Sequence, residues 1–141
     1  MRYTQEEMQL AYDDISRKTK PMGAIFGALV GVIPALALYL FFSVIGGHYL
    51  LLLIIPPAVI GFFARFVGRT YKLSHRIPVG LIGAIVHIIG CYIMGGSVIV
   101  YALTPVAFGI SVIVAKTKLE EVHEWALYQA EIGKLADSEK T

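Results

Sequence analysis

The sequence lacks charge in two long places. Residues 21–64 contain no Lys, Arg, Asp or Glu, and neither do residues 77–115. Only 16% of the 141 residues are charged, against about 25% in an ordinary soluble domain. That pattern argues against a water-soluble domain. Cysteine is equally scarce. The single Cys91 lies inside an apolar run, so an intrachain disulfide and a CxxC redox motif are both excluded. No Walker loop, GxGxxG stretch or nucleophile elbow is present. No carboxylate lies inside the apolar blocks, where a proton-coupled transporter normally keeps an ionisable relay. The first twenty residues carry Glu6, Glu7, Asp13 and Asp14, so a cleavable secretory signal is not expected.

What is present is apolar: 57% of residues, with a mean hydropathy of +0.70. A spanning helix needs roughly 20 apolar residues to cross ~30 Å of hydrocarbon. As single helices the two uncharged blocks would be about 66 and 58 Å long. Each is too long for one crossing and suits two. The expectation is an all-α integral membrane protein with four transmembrane helices arranged as two hairpins. Hairpin 1 covers 21–64, with spans near 22–45 and 49–66 that turn at Gly46-Gly47-His48. Hairpin 2 covers 77–115, with spans near 78–94 and 97–115 that turn at Gly95-Gly96. Polar segments 1–20, 65–76 and 116–141 flank them.

Basic residues set the orientation. Of the twelve, four lie in 1–20, four in 65–76 (Arg65, Arg69, Lys72, Arg76) and four from Lys116 onward. The two turns have no Lys or Arg. The positive-inside rule then puts both termini in the cytoplasm, in a cell (inner) membrane. The 65–76 loop has basic residues and no acid, so it should lie against anionic lipid headgroups, with Phe66 and Tyr71 at the interface. Nucleic acid is not an expected partner, because the basic residues sit at membrane ends.

The ends read as amphipathic helices. Thr4-Gln5-Glu6-Glu7 is a capping box, with Tyr3 and Met8 placed for a hydrophobic staple. Met8, Ala11, Tyr12 and Ile15 recur at helical spacing, and Asp13/Arg17 and Asp14/Lys18 are i,i+4 pairs. This helix would dock a partner or the membrane surface, or pack on the protein's own loop. A second helix is expected from Thr117 to about Leu135, continuing span 4, with a frayed tail at 136–141.

Small residues recur every fourth position at Gly23, Gly27 and Gly31, and again at Ala107, Ser111 and Ala115. Such faces let backbones approach closely, either between copies of the chain or between its own spans. Pro34 should kink span 1, and Pro56-Pro57 should break the middle of span 2, releasing the carbonyls of Leu52 and Leu53. The hairpins also resemble each other. Eight residues separate Gly46-Gly47 from Pro56, and eight separate Gly95-Gly96 from Pro105. A direct duplication and a chance likeness of apolar, glycine-rich segments both fit.

Candidate chemistry is thin. His87, Cys91 and Met94 share one face of span 3, a donor set that would suit copper if other spans added ligands. The competing reading folds hairpin 2 about Gly95-Gly96 and pairs His87 with Thr104 or Tyr101. Glu120-Glu121-Val122-His123 has the spacing of a di-iron ligand pair but stands alone. No metal or cofactor is therefore expected. The functional expectation is a non-catalytic interaction or accessory module, acting as a homo-oligomer or with a membrane-protein partner. The alternative is an oligomeric channel or small-solute transporter centred on Pro56, Pro57, His87 and Thr104. A membrane metal or haem protein, or an enzyme, is third.

Overall fold

The computed structural model describes residues 3–45 and 50–135. Among these residues the chain is helices and short connections, with no strand. The elements are α1 (Gln5–Lys18), α2 (Pro21–Ile45), a 3₁₀ turn (Leu50–Ile54), α3 (Ile55–Gly68), α4 (Leu73–Ile93), α5 (Val98–Tyr101), α6 (Thr104–Val114) and α7 (Glu121–Glu131). The expected turn at 46–48 and the tail at 136–141 lie outside the described residues. The chain divides into two units, one of residues 20–117 and one formed by 1–19 with 118–141.

In the apolar unit α2 packs along α3 and α4, and α6 packs along α4 and α3, while α3 and α4 also touch. Two helices, α2 and α4, are long and apolar enough to cross a membrane, with mean hydropathy of 2.4 and 1.8 in their best windows. The stretches Leu52–Gly68 and Val98–Val114 are shorter and also apolar. Neither is the single regular helix expected from the sequence. Proline is the reason in both. Pro56 and Pro57 sit in the first turn of α3, where a missing N–H leaves no hydrogen bond unmade. The residues before them wind as a 3₁₀ turn instead. Pro105 likewise opens α6, behind the single turn of α5. So the prolines restart helices at their beginnings rather than breaking one in the middle. Pro34, by contrast, is carried inside α2.

The glycines of α2 face α3. A Cβ on Gly27 would stand 2.5 Å from the Phe63 carbonyl oxygen, and one on Gly31 would stand 3.1 Å from the Ile60 Cα. A Cβ on Gly23 would stand 3.2 Å from the Val67 carbonyl oxygen. Contacts that run backwards along α3 as they run forwards along α2 make the pair antiparallel. Gly68 completes the seam, since a Cβ there would collide with the Ala24 backbone. The face that the sequence leaves open between oligomer and intrachain packing is thus occupied within the chain.

Ser111 of α6 fills the gap to α3 and α4. Its hydroxyl donates to the Pro57 carbonyl at 3.0 Å. Side chains on Gly61 or Gly83 would run into Ser111. Ala107 and Ala115 are buried along the same helix side.

The polar connector is shorter than the expected 65–76 loop. Arg65 is in the last turn of α3, and Arg76 is already inside α4. Arg69 caps α3 in the left-handed region at φ 47°. The expected helix running on from span 4 is also interrupted. Helix geometry ends at Ala115 and resumes at Glu121. The Thr117 N–H goes to the Thr70 carbonyl at 3.4 Å, so it is lost to the helical ladder.

In the other unit, α1 packs on α7 around Met8, Ala11, Tyr12, Ala126 and Leu135. The capping box forms at both hydrogen bonds: Glu7 N–H to Thr4 Oγ1, and Thr4 N–H to the Glu7 carboxylate. Lys18 donates to Asp14 at 2.8 Å and holds its carboxyl below the usual value. Asp13 accepts instead from Gln9 at 3.2 Å.

Overpacking the seam should be costly and position-specific. Gly27→Leu should lose roughly 2 kcal/mol or more, because backbone and not a movable side chain blocks it. Gly109, in α6, has open space around it. Gly109→Ala should be neutral or gain up to ~1 kcal/mol from helix propensity. Thermal unfolding in detergent of the two variants checks this, and equal melting temperatures would contradict the seam.

Candidate functional site

One buried polar cluster inside the apolar unit is built by three elements. Tyr39 comes from the second half of α2, His87 and Cys91 come from α4, and the Val100 carbonyl comes from α5. Tyr39, His87 and Cys91 are essentially inaccessible to solvent. His87 Nε2 lies 3.1 Å from the Val100 oxygen, which can only accept, so Nε2 carries the proton. Nδ1 is then an acceptor, and the Tyr39 hydroxyl donates to it at 2.8 Å. Both ring nitrogens are thus engaged. Cys91 Sγ lies 3.4 Å from Nε2 on the next turn. The Tyr39 and His87 rings meet edge-on with centroids 6.1 Å apart. Gly90 provides the floor: any side chain there would strike the Tyr39 ring.

This corrects the partner read from the sequence. His87 does not pair with Thr104 or Tyr101. Thr104 Oγ1 donates to the Tyr101 carbonyl at 2.7 Å. That carbonyl is the one Pro105 deprives of its helical donor, four residues on. Thr104 therefore repairs its own helix break. A signal for Tyr39 was nonetheless available. It lies seven residues before Gly46, and His87 lies eight before Gly95. Counting depth across both hairpins, and not only along hairpin 2, brings the two level. A buried Tyr also needs a partner for its hydroxyl.

The geometry bears on the other candidates. Both ring nitrogens of His87 are hydrogen-bonded, and Met94 packs on the apolar core. Among the described residues no cluster of three or more His, Cys, Asp or Glu is placed to hold a metal. Glu120 and His123 approach only to 3.9 Å, and His123 also lies 3.6 Å from Asp14. Pro56 and Pro57 are buried, and the Pro57 carbonyl is taken by Ser111. Beside His87 runs a cavity of about 140 Å³, walled mainly by Leu53, Leu103, Ala107 and Ile110.

The four basic residues of the middle segment separate. Arg69 and Lys72 are exposed, and Arg65 is partly covered. Arg76 is 9% exposed, and its Nη1 donates to the Val112 carbonyl at 3.2 Å. It answers the open carbonyls at the end of α6 and does not belong to an outward-facing basic loop. Phe66 is 78% exposed, whereas Tyr71 is partly covered.

Comparison with known proteins finds no matching family model, no matching curated protein and no matching solved structure.

Tyr39→Phe should cost about 1–2 kcal/mol, because it strands the Nδ1 lone pair in an apolar interior. Tyr39→Phe with His87→Leu should recover part of that loss, since the pair is then apolar and the Val100 carbonyl still accepts from the Leu103 N–H at 3.2 Å. A double-mutant cycle by thermal unfolding measures the coupling. Additive losses would mean that the two side chains do not act as a pair.

Proposed function

We propose that the protein is a small multi-pass protein of the cell (inner) membrane that works as a non-catalytic interaction or accessory module. Four apolar segments cross as two hairpins with both termini in the cytoplasm. The observation that supports a lipid environment most directly is the distribution of side-chain size in α2. Its buried positions are small from Ala24 through Gly27, Ala28 and Gly31 to Ala35, with Tyr39 and Phe42 the large ones buried beyond them. Its exposed positions include Met22, Phe26, Leu29, Ile33, Leu40 and Phe41. A water-soluble protein buries the large residues and rarely leaves so continuous an apolar surface. Lipid removes that penalty, and packing then favours small residues at the helix contacts.

The interaction role is assigned to the unit of α1 and α7. It carries exposed Leu10, Trp125, Tyr128 and Ile132. Trp125 and Tyr128 form an edge-on pair with centroids 6.1 Å apart. Exposed aromatics of this kind are the usual anchors of protein contacts. Because Gly23, Gly27 and Gly31 serve α3, a homo-oligomer would form through other faces, either the large apolar residues of α2 or this aromatic pair.

The cavity beside His87 favours one further reading, a channel or small-solute transporter using Pro56, Pro57, His87 and Thr104. Against it stand the hydrogen bonds already made by His87, Thr104 and the Pro57 carbonyl, and the glycine-tight contacts.

Topology is read by thiol labelling of Ser97→Cys in a Cys91→Ala background. Labelling from outside intact cells is expected, and labelling only after the cytoplasm is opened would sink the two-hairpin arrangement. Function is read by replacing Trp125 with a photo-crosslinking residue in cells. A discrete adduct of defined mass, either twice the chain or chain plus one partner, supports the module. In proteoliposomes, solute flux that disappears in His87→Ala would favour the transporter instead.

A further inference from the structure

Three polar groups at one end of the apolar unit are buried without a partner. Thr70 is 0% exposed and its Oγ1 makes no hydrogen bond. The Thr117 Oγ1 is also buried and unpaired. Arg76 uses Nη1 on Val112, but its Nε has no acceptor. The backbone brings these groups to the same end. The Thr117 N–H bonds the Thr70 carbonyl at 3.4 Å, so the segments after α3 and α6 run side by side. Arg76 reaches the last turn of α6. The Lys20 N–H bonds the Gly68 carbonyl at 2.9 Å, which adds the start of α2. A buried donor left unpaired is costly, and such groups normally mark a missing water, ion or ligand.

The charge says which ligand. The unit of residues 20–117 contains Lys20, Arg65, Arg69, Lys72, Arg76 and Lys116 and no Asp or Glu at all. All six lie near this end. The N-terminus of α4 also opens here, and no side chain caps it. Helix N-termini attract anions. Two hydroxyls, a guanidinium and a helix N-terminus, inside a field with no opposing carboxylate, are groups that suit a phosphate.

We propose that Thr70, Thr117 and Arg76 hold the phosphate of one anionic phospholipid headgroup at the cytoplasmic end of the unit. This rests on the membrane reading above and adds a specific, partly buried lipid site to it. A diester phosphate offers acceptors for both hydroxyls and for Nε. A zwitterionic choline headgroup would bring a further cation among six and should be disfavoured.

The test uses the full chain in mixed phosphatidylglycerol and phosphatidylcholine vesicles, then counts lipids retained after detergent extraction at high salt by native mass spectrometry. One phosphatidylglycerol per chain is expected. Thr70→Val with Thr117→Val should lower retention by roughly tenfold, the equivalent of one good charged hydrogen bond. Arg76→Lys should lower it too, because the planar fork is lost. Arg69→Gln, at an exposed position, should change only the salt-sensitive lipid. Lipid-free melting temperatures of the Thr variants should stay level or rise, since unpaired hydroxyls are being removed. A fall would show that they are ordinary structural donors and would overturn the site. Unchanged retention in the double variant, or displacement of the lipid by millimolar inorganic phosphate, would also overturn it as a lipid site. Wild-type chain that survives carbonate washing in phosphatidylcholine vesicles, yet retains no phosphatidylglycerol, would remove this site and leave the membrane reading standing.

Discussion

The apolar unit depends on how closely its helix backbones can approach. At Gly27 the carbonyl of Phe63 occupies the place of a side chain, and at Gly68 the Ala24 backbone does so. At Gly61 and Gly83 the occupant is Ser111. These contacts decide which residues face inward, because a helix that touches its neighbour through glycine must turn its large side chains away. The exposed Phe26, Ile33, Phe41 and Phe62 follow from that choice. Close approach also brings backbone groups of different helices within reach of short side chains, which is how Ser111 reaches the Pro57 carbonyl. Packing and polar satisfaction are therefore one constraint here.

Proline breaks shape the second layer of this arrangement. Pro105 removes one helical donor, and Thr104 supplies a replacement to Tyr101. The Val100 carbonyl of the short α5 accepts from His87 as well as from the Leu103 N–H. The imidazole can then accept from Tyr39 on its other nitrogen, joining α2, α4 and α5 through one side chain. The same restart occurs in the first hairpin, where a 3₁₀ turn precedes Pro56 and Pro57. The two hairpins thus share a local device as well as a sequence pattern. Its counterpart carbonyl partner differs, however, since Ser111 of the other hairpin serves Pro57.

Much of this was legible in the sequence where local rules operate. The capping box at Thr4 needs only four residues, and the glycine spacing of α2 defines a face on its own. The identity of what lies against that face is another matter. Helical periodicity gives the angle of a residue around its axis but not its register against a helix elsewhere in the chain. His87 shows the gap: depth counted along its own hairpin led to Thr104, and the partner came from the other hairpin. Arg76 shows a second kind of gap. It stands in a run of basic residues that reads as a loop, yet the run already contains the end of α3 and the start of α4. One helical turn of difference moves a guanidinium from the surface to the last carbonyls of α6.

That shift changes the meaning of the basic segment. Read as a loop, its charges act together and orient the protein by their number. In the folded chain they divide. Arg69 and Lys72 stay exposed, where charges act at a distance and are screened by salt. Arg76 is withdrawn from solvent and acts through geometry, with one nitrogen on Val112 and another unmatched. A buried guanidinium is costly to desolvate, so a protein that keeps one without a carboxylate must meet it with carbonyls or an external anion. No acid exists between residues 15 and 119 to serve. One carbonyl is in place, and two hydroxyls without partners lie at the same end. The excess of positive charge along the sequence thus recurs at atomic scale in Arg76, whose guanidinium meets a backbone carbonyl and no carboxylate.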